Sequence, residues 1–350
     1  MPLSDLDPAE VQGVLLLNAT ALGDLLFSTP AIRALKERFP DWRLELLVHP
    51  RYGDLMAHNP HVARIWYYPG RGWGFIKLLR QLRRRNFDLV IILHGNDPEA
   101  TLLAHYTGSR FIIGSAGSPL AFAYSARMEH HDPYEHAIER RLNYVRLLGA
   151  DTHDKQMQVF LPKEELRRAE AIISQHFGGY PPLLVALHAT GSEPYKWWPL
   201  ESFISLGDHL QRTYGAAVII ISGSQDRPVA EELAGALAGP TLVTGGGYPL
   251  ITVAAMLTRC RLLVANDSGP LHLALALGVP SIALLGADHP RRIGPYQVDW
   301  GTYLWKREEV CSLEPCLLKN CPDNRCLKSL EVDEVVQVIK TWWEPRFLQA

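Results

Sequence analysis

The sequence predicts an α/β protein built from two similar halves, each a parallel sheet covered by helices on both faces. Short apolar runs alternate with amphipathic stretches along most of the chain, the pattern of strands joined by helices. A charged segment at residues 161–182, LPKEELRRAEAIISQHFGGYPP, ends in a Gly-Gly and Pro-Pro break, and a second alternating series follows it. A length of 350 residues suits about two domains of ordinary size. The expected division is a first domain at 1–165, a linker at 166–182, a second domain at 183–330 and a C-terminal helix at 331–350.

Taken in order, residues 13–17 are a short apolar run bounded by polar residues, which reads as a buried strand. The turn NATALGD leads into an amphipathic helix at 25–39. Strands are expected at 44–48, 62–67, 88–93 and 110–114, with helices at 75–85 and 98–107. Residues 115–160 are less regular and carry one clear helix near 135–148. In the second half the expected strands are 183–187, 217–222, 241–243, 262–265 and 281–285. Helices at 200–214, 228–237, 250–258 and 271–277 alternate with them, and 332–343 reads as a final amphipathic helix. Two such halves are expected to leave a ligand cleft at the carboxyl ends of their strands.

Composition narrows the function classes. With 47% hydrophobic and 21% charged residues and a net charge of −2, the chain is globular and is no general nucleic-acid binder. No apolar run reaches the roughly 18–20 residues that span a bilayer. The opening MPLSDLDPAE lacks the form of a secretory signal, so the expected location is the cytoplasm. Cys260 reads as a core residue. Cys311, Cys316, Cys321 and Cys326 form a C-x4-C series that fits either unpaired structural thiols or a metal or redox role.

The stretch 261–286, RLLVANDSGPLHLALALGVPSIALLG, predicts both a structure and an anion site. A strand runs through the turn Asn266-Asp267-Ser268-Gly269 into a helix whose first turn tolerates Pro270. Free N–H groups at such a helix start bind phosphate, and Asp267, Ser268 and His272 would stand around it. Asp267 and Ser268 are equally well explained as helix caps. Asp24, in ALGDLLFSTP, can serve as a general base for a bound hydroxyl or as a cap for the next helix. No G-x-G-x-x-G or Walker pattern accompanies it, which argues against a nicotinamide dehydrogenase or a P-loop enzyme.

Lys196, in HATGSEPYKWWP, can neutralise a phosphate or simply be solvated beside Trp197 and Trp198. Asp226, in SGSQDR, can accept hydrogen bonds from ribose hydroxyls or start a helix. Arg71, Lys77, Arg80, Arg83, Arg84 and Arg85 stand together with no carboxylate among them. They fit an anionic acceptor, anionic lipid headgroups or a merely solvated face, with Arg71, Arg80 and Arg84 the acceptor-side candidates. His130, His131 and His136 read as exposed, and no cluster makes a metal site.

The segments ALGDLLFSTPAIRALKERFP, FDLVIILHG, HATGSEPYKWWP, SGSQDR and NDSGPLHLALALGVPSIALLG, in this order, resemble glycosyltransferase family 9, the ADP-heptose:lipopolysaccharide heptosyltransferases. The GD-x5-P and NDSG-x2-H patterns are jointly specific, and the tail CSLEPCLLKNCPDNRC also looks like tails of that family. The resemblance implies a GT-B fold: two facing Rossmann-like domains with an interdomain cleft, acceptor on the first, nucleotide sugar on the second, and the final helix returning to the first. It matches Asp24 to the catalytic base, Lys196 to a lysine near the donor phosphates and Asp226 to a ribose contact. Asp267, Ser268, Gly269 and His272 match the donor diphosphate loop.

The implied reaction is inverting transfer of heptose from ADP-heptose to a hydroxyl of a lipopolysaccharide core or related surface glycan, with no metal and no cofactor. The implied partners are the nucleotide sugar and a lipid-linked acceptor, with peripheral contact at the inner membrane and no nucleic acid. Alternatives are a transferase for another nucleotide sugar, an epimerase or hydrolase on the same fold, and a non-catalytic sensor. Two positions depart from the family: Asn18 has no neighbouring arginine, and Gly286-Ala287 stands where members often have Gly-Pro.

Overall fold

Every residue of β1 (Gly13–Asn18) is buried, as its unbroken apolar run requires of a strand covered on both faces. It lies within a six-stranded sheet with β2 (Arg43–Val48), β3 (Arg64–Tyr67), β4 (Leu89–Ile92), β5 (Phe111–Ser115) and β6 (Ala126–Met128). The order is β3-β2-β1-β4-β5-β6, and all neighbours are parallel. A second six-stranded sheet holds β7 (Leu184–His188), β8 (Ala217–Ile220), β9 (Thr241–Val243), β10 (Leu262–Asn266), β11 (Ser281–Leu285) and β12 (Gly301–Trp305). Its order, β12-β11-β10-β7-β8-β9, is again parallel and repeats the first when counted from β7.

The computed structural model describes residues 1–94, 98–312, 316, 321 and 323–348, divided into two compact units, Met1–Phe160 and Leu161–Ala350. Gly95 of FDLVIILHG and parts of the tail motif CSLEPCLLKNCPDNRC lie outside the described residues. In each sheet the winding direction reverses beside the unit's first strand, between β1 and β4 and between β7 and β10. Loops there leave toward opposite faces and open a crevice at the carboxyl ends of the strands. Among the described residues no helix is long and apolar enough to cross a membrane.

Several elements differ from expectation. The helix expected at 25–39 is two, Leu22–Phe27 and Thr29–Arg38, because Pro30 sits in the first turn of the second and cannot continue the ladder of the first. The edge strands β6 and β12 went unread because neither is fully buried, so neither shows a continuous apolar run. The segment taken for a linker is the helix Lys163–Phe177 of the second unit, packed against the helix Leu250–Leu257. Thr252 donates to Glu165 there at 2.7 Å.

The terminal segment packs on the second unit's own core. The helix Val332–Val338 continues as a wider helix with i→i+5 bonding, Ile339–Leu348, with Pro345 inside it. Val335, Ile339 and Trp343 are buried among Val185, Leu187, Phe203 and Leu262. The Trp343 indole donates to the Arg261 carbonyl at 2.6 Å, and the Trp198 indole to the Leu330 carbonyl at 2.8 Å. Trp343→Ala should therefore destabilise the second unit by about 3–5 kcal/mol. Urea melts measure this, and an unchanged midpoint would mean that the tail does not complete that core.

Candidate active site

In the first unit, the helix that follows β1 brings Asp24 to the crevice. The N-cap of that helix is Ala21, so Asp24 is its third residue and not its cap. A carboxylate in the first turn suits the positive end of a helix. One Asp24 oxygen accepts from Thr20 Oγ1 at 3.3 Å and the other from Arg141 Nη2 at 2.5 Å. Beneath it, Asn18 Nδ2 donates to the Asp24 carbonyl at 2.9 Å and to Ser28 Oγ at 2.6 Å, which fixes the turn. The Asp24 side chain keeps 38% exposure, whereas Arg141 keeps 12%. A held but open carboxylate can take a proton from a ligand hydroxyl.

Arg141 was not read from the sequence. It comes from the helix Ala137–Arg146, far along the chain, and supplies a guanidinium where the sequence has no arginine near Asn18. Its Nη1 also donates to the Ala137 carbonyl at 3.3 Å, while its Nε is buried with no partner. Arg141→Gln should lower turnover by about tenfold or more, with the donor dissociation constant unchanged and partial recovery in Arg141→Lys. Initial rates beside a donor titration check this, and equal loss in the glutamine and lysine variants would reduce Arg141 to a packing role.

In the second unit, the loops after β7, β10 and β11 meet around one ammonium. Lys196 Nζ donates to Asp267 Oδ2 and to Asp288 Oδ2, both at 2.7 Å. Burial alone would lower the lysine's pKa, but the two carboxylates outweigh it and hold the ammonium above its ordinary value. Burial alone would raise Asp267; the His272 ring and the Lys196 ammonium outweigh it and hold the carboxyl well below the usual range. Arg292 Nη1 lies 3.4 Å from Asp288 Oδ1. The lysine is thus not a solvated surface residue: its side chain is 18% exposed.

The loop–helix junction is built by Asn266. Its Oδ1 accepts from the Trp198 N–H at 3.0 Å, and its Nδ2 donates to the Ala189 carbonyl at 2.8 Å. Gly191 lies so close to the next strand's loop that an added Cβ would stand 3.3 Å from the Asp267 carbonyl. Ser268 is the N-cap residue of the helix Gly269–Ala276, yet its side chain makes no capping bond. Its Oγ is buried without a partner, as is Oγ1 of Thr190. Asp267 does not cap either, because its oxygens face Lys196 and His272. Unpaired hydroxyls beside open helix N–H groups and a lysine make an arrangement suited to an anion.

Asp226 stands at the end of the neighbouring strand β8, half-buried, as the N-cap residue of the helix Arg227–Ala236, and it makes no capping bond. Asp288 and Thr190 are further members that the sequence reading missed. An acid just past β11 was a usable signal, of the same kind that singled out Asp226. On the first unit, Arg71 is paired with Glu99, whereas Arg80 and Arg84 are exposed on or beside the helix Trp73–Arg83. Of the three histidines expected to be exposed, His136 is buried and caps the helix after it, accepting from the Ile138 N–H at 3.2 Å. His130 is partly covered by Glu135 and Tyr144. Burial pushes the Cys260 thiol up to about 12, which makes it inert. The four tail cysteines are unpaired, and no group of three metal-binding side chains occurs among the described residues.

A family model for glycosyltransferase family 9 (heptosyltransferase) matches residues 75–321, well over half of the chain. The chain belongs to that family. Lipopolysaccharide heptosyltransferase 3 of Escherichia coli K12 is 26% identical over 285 residues, covering 76% of this chain and 80% of that protein. Lipopolysaccharide heptosyltransferase 1 of Pseudomonas aeruginosa is 27% identical over 327 residues, covering 88% and 87%. The solved structure of the Escherichia coli ADP-heptose lipopolysaccharide heptosyltransferase II shares the fold, with a TM-score of 0.79 at 18% identity over 97% of this chain and 100% of that one. The family 9 chain is therefore a glycosyltransferase of the GT-B α/β fold, as its sequence motifs imply.

Proposed function

We propose that this family 9 glycosyltransferase moves a heptose from ADP-heptose to a hydroxyl of a lipopolysaccharide core acceptor, with inversion. The observation that carries the reading is Asp24, an accessible carboxylate that caps nothing and is held between Thr20 and Arg141. Asp24 removes the proton from the acceptor hydroxyl as its oxygen attacks the anomeric carbon. The new C–O bond forms as the bond to the diphosphate breaks, and ADP departs with the electron pair. Charge gathers on the leaving diphosphate, where Lys196, the N–H groups at Ser268–Gly269 and the unpaired hydroxyls of Ser268 and Thr190 supply stabilisation. Asp226 is assigned to the ribose. Charge supplied in this way does not call for a divalent metal.

The test is turnover of ADP-heptose with truncated lipopolysaccharide core in EDTA, following ADP release and acceptor mass. A gain of one heptose establishes donor, acceptor and metal independence together. Release of ADP without a mass gain overturns the acceptor, and turnover only with another nucleotide sugar overturns the donor.

A further inference from the structure

The outer face of the helix Trp73–Arg83 does no work for the fold. Its inner face, Leu78 and Leu82 with Phe75 and Leu79, packs into the first unit's core against Leu15, Val90 and Ile112. At about 100° per residue, Trp73, Ile76, Lys77, Arg80, Arg83 and the C-cap residue Arg84 share the opposite side. Trp73 is 85% exposed and Ile76 is 40% exposed, and the four cations are exposed with them. The sequence has no carboxylate between Tyr68 and Phe87. Arg71 and Arg85 at the margins are paired with Glu99 and Glu45, but Lys77, Arg80, Arg83 and Arg84 form no ion pair among the described residues.

The next elements extend the same surface. The helix Pro98–Tyr106 packs beside Trp73–Arg83 and exposes Leu102 and Tyr106; the short turn Ala121–Ala123, packed on that second helix, exposes Phe122. All three elements cover one face of the sheet, since Leu78, Leu103 and Ala121 enter one core cluster. An ordinary solvated charge run interleaves carboxylates and does not expose large rings. Indole and phenyl rings beside unpaired cations match the headgroup level of an anionic bilayer, where rings insert and cations meet lipid phosphates.

We propose that this face docks the enzyme on the surface of an anionic phospholipid bilayer. The inference does not depend on the donor, the base or the acceptor, and its first readout, sedimentation with plain lipid vesicles, uses none of them. Protein is sedimented with vesicles of phosphatidylethanolamine and phosphatidylglycerol, and separately with vesicles of phosphatidylcholine. Binding is expected to the anionic vesicles, weakened in near-molar salt. In Trp73→Ser/Lys77→Glu/Arg83→Glu the partition coefficient should fall by about tenfold or more. These three side chains leave the core untouched, so the melting temperature and the turnover of a water-soluble acceptor should stay at wild-type values. Failure of the wild type to bind anionic vesicles overturns the proposal, as does wild-type binding by the triple variant. Binding only when the vesicles carry the acceptor glycolipid also overturns it, and gives the face to the acceptor instead.

Discussion

Replacing Asp24 by alanine is expected to lower turnover by about 10² or more while the donor dissociation constant stays close to wild type. The fold should tolerate the change, because Ala21 and not Asp24 caps the helix, and alanine is favourable within one. What is lost is the proton acceptor, together with one partner each for Thr20 and Arg141. Asp24→Asn separates these losses. The amide keeps the shape and an oxygen for Arg141 but cannot take the proton, so it should be as slow as the alanine variant. Rates with saturating donor and a titration with ADP decide the matter: near-normal turnover in the asparagine variant removes Asp24 from the role of base.

The second large effect belongs to Lys196. Its removal leaves Asp267 and Asp288, which it now bridges, without their shared cation in a mostly buried place. Lys196→Ala should thus both destabilise the second unit, by about 3 kcal/mol, and weaken donor binding and turnover together. The double variant Lys196→Ala/Asp288→Asn should recover much of the stability and none of the donor affinity. Thermal melts and ADP titrations on the two variants give the comparison. Donor affinity that returns with stability would make the lysine a structural tie only.

The two central strands of each sheet and the helix after β10 were legible because a strand buried on both faces leaves an unbroken apolar run. Asp24, Lys196 and Asp267 were legible for a related reason: each follows such a run, at the edge where an α/β sheet opens. Arg141 was not, because one arginine of the pair Arg140-Arg141 in an amphipathic helix looks like any solvated cation, and its partner lies far away in sequence. The capping readings of Asp24, Asp267 and Ser268 stood in the sequence because the same residue types serve both purposes; only the direction of each side chain separates them. The amphipathic pattern of the terminal helix announces that a face will be buried but not against which core.

The cluster around Lys196 has a consequence for selectivity. Lys196 and Arg292 face Asp267 and Asp288, so two positive and two negative groups cancel. The four side chains therefore supply little net field to an arriving anion, and the attraction that remains comes from the N–H groups at the start of the helix Gly269–Ala276. In the proposed reaction a diphosphate would enter by exchange, one of its oxygens taking over a hydrogen bond that the lysine gave to a carboxylate. Such a swap of one anionic acceptor for another is close to even in energy, so small free phosphates, however abundant, gain little by making it. Retention then falls to the parts of a ligand that the exchange does not touch, its sugar and its base.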